Sequence, residues 1–243
     1  MNDKSSNSGY VVSDLHLFSP CSRYKKLLPE FYTRCSRHSV VVLNGDTFEM
    51  KRSKLKSTDE VTDQCTTWLR ELCKKNESTQ FYYVIGNHDA QLQIMQEINN
   101  VAQDVSNLMV IPHILTIGST LFIHGDVIEP GALEMGVSSV REKYRETTPS
   151  KLSLFLATVV TSLRLNSVEY IRHNKGALAA TLLSYINRHE PDRLSSIKTI
   201  FFGHTHVPFR DFQLEGITFH NTGSFIKGLH WNPMEFTIDG STH

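Results

Sequence analysis

The stretch TIFFGHTH, residues 199–206, is a short apolar run that ends in a glycine and two histidines spaced two residues apart. Its length and its β-branched and aromatic content are typical of a strand buried on both faces. Runs of the same kind are YVVSD (10–14), VVVLNGD (40–46), FYYVIGNHD (81–89), TLFIHGD (120–126) and ITFHNTGSF (217–225). These runs predict a sheet of buried, largely parallel strands.

Segments with apolar residues at helical spacing alternate with the first of these runs. Residues 22–38 form one such segment, in which we expect a start or a break near Pro29 because proline disrupts a helix interior. Residues 58–75 form a second segment, with Ser57 or Thr58 as its N-cap, and residues 90–104 form a third. Alternation of strand and helix predicts an α/β organisation. Taken alone, it favours a single doubly wound sheet.

The interval 127–197 interrupts this alternation. It contains Pro130, Gly131, Gly136 and Pro149, followed by a helix-like stretch from about 150 to 189. The strand pattern resumes at residue 198. We therefore interpret the interval as a helical insertion within a single domain that spans residues 1–243.

The composition excludes some classes of function. Lysine plus arginine equals aspartate plus glutamate at 25 each, so the net charge is zero, whereas proteins that bind a phosphate backbone usually carry a basic surplus. We therefore expect no nucleic-acid partner. The 4 cysteines have no CxxC spacing, and the polar N-terminus lacks the apolar core of a secretory signal. We therefore expect reduced thiols, a cytoplasmic location and no membrane span.

Polar side chains follow five of the strand-like runs. They form the motifs DLH (Asp14, His16), GD (Asp46), GNHD (Asn87, His88, Asp89), HGD (His124, Asp126) and GHTH (His204, His206). The carboxyl ends of strands in open α/β sheets build the ligand crevice, so these side chains should meet there. Carboxylates, amides and imidazoles are metal ligands. An extended backbone would point both members of an i, i+2 pair the same way, and the preceding glycines permit close approach.

Each motif is weak evidence by itself. A single histidine at a strand end is more often a hydrogen-bonded part of the core, and Gly-Asp is a common turn. Five polar motifs in order, each at a strand end, are hard to explain without a shared site.

The ordered motifs DxH, GD, GNHD, HGD and GHTH resemble the calcineurin-like metallophosphoesterase superfamily. With NTGS (221–224), the resemblance covers nearly the whole chain. It implies an α/β fold of the α+β type, in which two packed mixed β-sheets are flanked by helices. It also implies a dinuclear metal-dependent hydrolase. Asp14, His16 and His206 would hold one metal, Asn87, His124 and His204 the other, and Asp46 would bridge both.

The same resemblance implies a catalytic role for two further residues. His88 would act on the scissile phosphate as a general acid or as a stabiliser of the transition state, and Asp89 would orient its ring. Asp126 would lie behind His124 or serve only as a turn residue. Manganese is the expected metal, with iron and zinc as alternatives, because mixed oxygen and nitrogen ligands accept all three.

Within the superfamily, SDLHL (13–17), GDTFE (45–49), GHTHVP (203–208) and the segment 150–194 resemble the UDP-2,3-diacylglucosamine hydrolases. That branch implies a pyrophosphate bond in a nucleotide-linked lipid, with the insertion touching acyl chains at the inner face of a membrane. Arg164, Arg172 and Lys175 would then be candidate phosphate contacts. His88 stands where that branch commonly has arginine, which leaves room for a different substrate.

Other interpretations remain open. The chain could be a phosphodiesterase or phosphatase for nucleotides or other small phosphoesters, and a non-catalytic metal-binding scaffold is the alternative from another class. A nuclease is disfavoured by the zero net charge. For the apolar run 152–165, packing on its own domain is favoured over acyl-chain contact, and solvated surface charge is the commoner role for basic residues such as Arg164, Arg172 and Lys175. The sequence predicts no oligomeric state.

Overall fold

Two five-stranded β-sheets form the framework of the computed structural model, which describes residues 5–53, 55, 57–147 and 174–239. The strands are β1 (Ser5–Val12), β2 (His38–Asn44), β3 (Gln80–Val84), β4 (Leu108–Ile111), β5 (Ile114–Ile117), β6 (Thr120–Ile123), β7 (Thr199–Phe202), β8 (Phe209–Leu214), β9 (Ile217–Asn221) and β10 (Met234–Thr237). The helices are α1 (Tyr24–Cys35), α2 (Thr58–Lys75), α3 (Leu92–Asp104), α4 (Ala132–Met135), α5 (Val137–Glu146), α6 (Lys175–His189) and α7 (Pro191–Leu194).

Both sheets are mixed. The first has the order β10-β1-β2-β3-β4, with β10 antiparallel to β1 and the other neighbours parallel. The second has the order β5-β6-β7-β9-β8, with parallel pairs in the centre and antiparallel pairs at both edges. The α/β fold of two mixed sheets is confirmed. The single doubly wound sheet is wrong, because the chain leaves the first sheet after β4 and starts the second at β5.

The two sheets pack face to face through an apolar layer. It includes Val42 and Val84 from the first sheet and Phe122 and Phe201 from the second, all buried. The opposite face of the first sheet packs against α1, α2 and α3, and the opposite face of the second packs against α6. The central strands are thus buried on both faces, which explains their continuous apolar sequences.

The predicted helices are present with small differences in extent. Helix α2 has the predicted bounds, and the side chain of Ser57 caps it by accepting a hydrogen bond from the backbone N–H of Glu60. Pro29 lies inside α1 without ending it, so the predicted break is wrong. Four strands of 4–6 residues were not predicted, namely β4, β5, β8 and β10. All four lie at sheet edges; β4 and β5 have only four residues each, and β8 (FRDFQL) and β10 (MEFT) have polar residues at their exposed positions.

Within the interval 127–197 the structure describes the helices α4 to α7. Helix α6 packs on the second sheet through Leu178, Leu182 and Ile186. Arg164, Arg172 and the apolar run 152–165 lie outside the described residues. An insertion within one domain therefore stays a prediction. Among the helices of the described residues, none is long and apolar enough to cross a membrane.

Candidate metal centre

The candidate ligands lie where the carboxyl ends of strands from both sheets meet. Asp14, Asp46 and Asn87 follow β1, β2 and β3 of the first sheet, whereas His124 and His204 follow β6 and β7 of the second. The side chain of Asn44, at the end of β2, donates hydrogen bonds to the carbonyls of Ile123 (3.1 Å) and Phe201 (3.2 Å). The two sheets are therefore fastened together at the base of the site.

The backbone at these strand ends is left-handed. The φ angles of Asp14, His16, Asp46, His204 and His206 are 54°, 43°, 50°, 62° and 59°. The extended-strand explanation for the i, i+2 pairs is therefore wrong, since tight turns direct these side chains. Such a conformation costs a non-glycine residue about 1–3 kcal/mol and clusters at functional sites.

Backbone hydrogen bonds between the loops offset this strain. The N–H of Asp14 donates to the carbonyl of Gly45 (3.0 Å), and the N–H of His16 donates to the carbonyl of Asp46 (3.0 Å). The N–H of Gly203 donates to the carbonyl of His124 (2.7 Å). The loop after β1 is thus bound to the loop after β2, and the loop after β6 to the loop after β7.

One group of side chains contains Asp14, His16 and His206. Nε2 of His206 lies 3.1 Å from Nε2 of His16 and 3.3 Å from Oδ1 of Asp14. Both oxygens of Asp14 also accept the backbone N–H of His204, at 3.1 and 3.0 Å. These three residues offer ligand atoms within 4.8 Å of one another, close enough to hold one metal ion.

A second group contains Asp46, Asn87, His124 and His204. Nε2 of His124 lies 3.3 Å from Oδ2 of Asp46 and 3.2 Å from Oδ1 of Asn87. Nδ1 of His204 lies 3.1 Å from the same amide oxygen. Oδ2 of Asp46 also lies 3.9 Å from Nε2 of His16, so the Asp46 carboxylate faces both groups.

The atoms that converge in the second group suit a cation. Nδ1 of His124 lies 3.2 Å from the backbone carbonyl of Asn44, to which it can only donate. Nε2 of the neutral ring then presents its lone pair to the oxygens of Asp46 and Asn87. Facing lone pairs repel one another unless a cation lies among them. A divalent metal ion therefore fits this arrangement of donors.

Electrostatics at Asp46 and His124 agree with a cation site. Burial would raise the pKa of Asp46, but the charges of His124 and His88 outweigh it and hold that pKa well below its usual value. Burial would lower the pKa of His124, but the Asp46 carboxylate raises it to about 10. A metal ion bound at this point would replace the proton of His124 as the partner of Asp46.

Three glycines leave room for the candidate ligands. A Cβ at Gly45, which has φ of 84°, would overlap the ring of His124. At Gly86 it would overlap the carboxylate of Asp46, and at Gly203 the carboxylate of Asp14. The predicted close approach of the backbone is therefore present at all three positions.

His88 contacts Glu49 and Tyr144. Its Nδ1 lies 3.0 Å from Oε1 of Glu49, and the Tyr144 hydroxyl lies 2.9 Å from Nδ1 and 3.1 Å from Nε2. Burial would lower the pKa of His88, but the carboxylates of Glu49 and Asp46 raise it to about 9. Burial would raise the pKa of Glu49, but the His88 charge and the His16 hydrogen bond hold it well below its usual value.

Asp89 differs from its predicted role of orienting the His88 ring. Its carboxylate accepts the backbone N–H groups of Phe48 (2.9 Å), Thr47 (3.2 Å) and Gly86 (3.3 Å). It therefore joins the loop after β2 to the loop after β3, while Glu49 contacts the ring. Burial and the nearby Asp46 carboxylate raise the pKa of Asp89 to about 7.

The remaining predicted residues lie to the side of the two groups. Asp126 begins a 3-10 turn (Asp126–Ile128), and its Oδ2 accepts a 2.7 Å hydrogen bond from Nε of Arg141. Arg141 also donates to the carbonyls of Ile85 and Pro112. Lys175 begins α6, and its ammonium lies 5.3 Å from the centroid of the Phe209 ring.

Several contacts at the site involve residues that the sequence analysis did not select, namely Glu49, Glu129, Arg141 and Tyr144. Glu49 has a local signal, because it lies three residues after Asp46 in GDTFE. Glu129 and Tyr144 lie in the interval after HGD, where no motif marks them. Their contacts with His204 and His88 arise only in the folded chain.

Among the comparisons with known proteins, a family model matches most of the chain. The family model for calcineurin-like phosphoesterases matches residues 10–208, which contain every candidate ligand. The chain is similar to the crystal structure of a dimetal phosphatase from Danio rerio, with a TM-score of 0.49 and 11% sequence identity, over 96% of this chain and 99% of that one. No curated protein matched the chain. Because the family model spans most of its length, this protein belongs to the calcineurin-like phosphoesterase family of metal-dependent hydrolases.

Proposed function

We propose that this protein hydrolyses a small phosphate ester or pyrophosphate at a dinuclear metal centre. The carboxylate of Asp46 carries the proposal, because its Oδ2 faces His124 at 3.3 Å and His16 at 3.9 Å. One metal would be held by Asp14, His16 and His206, and the other by Asn87, His124 and His204. Two divalent ions there would supply Lewis acidity for the attack of water on phosphorus.

The contacts of His88 support a role in proton transfer to the leaving group. Glu49 holds Nδ1 at 3.0 Å and favours the protonated ring, while Nε2 lies 3.9 Å from Oδ2 of Asp46 and therefore borders the site. A protonated ring in this position donates to the departing oxygen or stabilises charge on the phosphate. Asp89 affects the position of His88 only indirectly, because its carboxylate joins the loop after β2 to the loop after β3.

A pocket beside the site supports a small-molecule substrate. It has a volume of about 400 Å³, and its wall includes Asn87, Glu129 and His204 together with Val140, Lys143 and Tyr144 of α5. This size is in the range of sites for compact ligands. The Lys143 ammonium favours an anionic group next to the scissile phosphate. A nucleotide or a pyrophosphate is a compact molecule that carries an anionic group next to the scissile phosphate.

We propose manganese as the first metal to test, followed by iron and zinc. The UDP-2,3-diacylglucosamine pyrophosphate is one candidate substrate, supported by the resemblance of residues 150–194, and it would bring the insertion to a membrane surface. Nucleotides and other small phosphoesters are the other candidates. The lack of CxxC spacing among the 4 cysteines supports a cytoplasmic location.

Hydrolysis of bis-p-nitrophenyl phosphate by the purified protein tests the proposal. The protein is first stripped with a chelator and then supplied with manganese, iron or zinc. We expect turnover only with added metal and none with Asp46→Asn. UDP-linked lipids, nucleotides and p-nitrophenyl phosphate would then identify the preferred bond. Metal binding without turnover of any of these compounds would contradict the proposed phosphoesterase activity and favour a non-catalytic metal-binding scaffold.

A further inference from the structure

We propose that Glu129 is a positioning residue, which holds the ring of His204 with Nδ1 directed at the second group of candidate ligands. Oε1 of Glu129 lies 2.8 Å from Nε2 of His204. On the other side of the ring, Nδ1 lies 3.1 Å from Oδ1 of Asn87. The effect of Glu129 on metal binding rests on the proposed function, whereas the contact between Glu129 and His204 does not.

The chemistry of the contact determines which nitrogen carries the proton. An ionised carboxylate only accepts hydrogen bonds, so Nε2 of His204 must be the donor. In the neutral ring the lone pair is then on Nδ1, which faces the Asn87 amide oxygen. A carboxylate that accepts the N–H of a metal-binding histidine fixes its tautomer and raises the basicity of its other nitrogen.

His204 depends on such a partner more than His124 does. The His124 side chain is fully buried, and its Nδ1 contacts the backbone carbonyl of Asn44, which no substitution removes. The His204 side chain is 15% exposed and follows a backbone with φ of 62°. Its Nε2 contacts a side chain instead of the backbone. The His124 ring is therefore oriented by a backbone carbonyl and the His204 ring by a side chain. Only the side chain can be removed by substitution.

The turn that carries Glu129 is itself well ordered by hydrogen bonds. The backbone N–H of Glu129 donates to the carbonyl of Asp126 (3.3 Å), and its own carbonyl accepts the N–H of Ala132 (3.1 Å). Gly125, with φ of 109°, allows the chain to turn directly after His124. The Glu129 carboxylate thus reaches His204 from a position five residues after His124, which is another candidate ligand.

Manganese binding and histidine tautomers together test this role. Glu129→Ala should weaken one of the two manganese sites by about 10–100-fold and leave the other unchanged, and Glu129→Gln, whose amide oxygen still accepts, should recover part of the loss. Glu134→Gln, at an exposed position in α4, is the control and should change neither site. Calorimetric titration of the chelator-treated protein with manganese measures both affinities.

Nitrogen-15 NMR of the metal-free protein provides a readout that does not need the metal. In the parent protein His204 should carry its proton on Nε2, and Glu129→Ala should shift the ring towards a mixture of tautomers. Unchanged tautomers together with unchanged manganese affinities would overturn the inference. If the parent protein binds neither manganese nor iron nor zinc, the proposed function fails, while the tautomer measurement still decides whether Glu129 orients His204.

Discussion

The backbone N–H of His88 donates a 2.8 Å hydrogen bond to Oδ1 of Asp46. This bond occupies one oxygen of the carboxylate and leaves Oδ2 to face both groups of candidate ligands. It also fixes the backbone of the predicted general acid relative to the predicted bridging ligand. The backbone of His88 and the two groups of candidate ligands are therefore linked through the same side chain.

Asp46→Asn should abolish hydrolysis and lower the metal content. The amide keeps the shape of the side chain but removes the negative charge that both ions would share. Elemental analysis and turnover of bis-p-nitrophenyl phosphate measure the two effects. Asp104→Asn, which removes an exposed carboxylate paired with Arg70, is the matched control and should behave as the parent protein. Near-normal activity of Asp46→Asn would refute the bridging role.

His88→Ala should retain both metals and lose about 10²–10⁴-fold in rate, the usual contribution of a general acid. The candidate ligands contact one another without the His88 ring, through the Nε2 atoms of His16 and His206 and through Oδ1 of Asn87. Metal content and turnover are measured on the same preparation, with the exposed His230 replaced by alanine as the control. Loss of metal from His88→Ala would mean that its ring is a ligand.

Glu49→Gln should reduce the rate by about 10–100-fold, because it removes the charge that favours the protonated His88 ring. Oε2 of Glu49 also lies 3.6 Å from Nδ1 of His16, a candidate ligand. If Glu49 affects the rate through His88 and not through His16, the double variant with His88→Ala is no slower than His88→Ala alone. Rate constants of the parent, the two single variants and the double variant complete this cycle. Losses that multiply would show that Glu49 acts independently of His88.

Gly203→Ala should lose metal binding, because its Cβ would overlap the carboxylate of Asp14 and the side chain of Ser13. Gly176→Ala, near the start of α6, is the control, since its nearest neighbour is the Asn174 side-chain oxygen at 3.2 Å. Metal content and thermal unfolding are measured for both. Full metal binding by a folded Gly203→Ala variant would show that the site does not need the close approach of the residue 203 backbone to the Asp14 carboxylate.

Arg141→Met should lower the free energy of unfolding by about 3–5 kcal/mol, because it leaves the buried Asp126 carboxylate without its partner. It also removes the donors to the carbonyls of Ile85 and Pro112. Urea unfolding measures the change, and Arg188→Met on the exposed side of α6 is the control. Equal stability of the two variants would show that the Asp126–Arg141 pair contributes little.

The apolar runs predicted six of the strands, and the helical spacing predicted α1, α2 and α3, because both patterns are local. The order of the polar motifs likewise identified the family without any structure. The strands at the sheet edges were missed, since β4, β5 and β10 have only four residues each and β8 contains three exposed polar residues. The division into two sheets was implied only by the family resemblance, because strand pairing depends on contacts between distant parts of the chain.

By itself, the sequence determined which residue types follow each buried strand, and with them the candidate ligands and the class of chemistry. Only the tertiary structure decided how these side chains are directed and which partners hold them. The left-handed turns at Asp14 and His204 replace the extended strand that spacing implied. Glu49 meets His88 across 39 residues and Glu129 meets His204 across 75, distances along the chain over which no local pattern carries information.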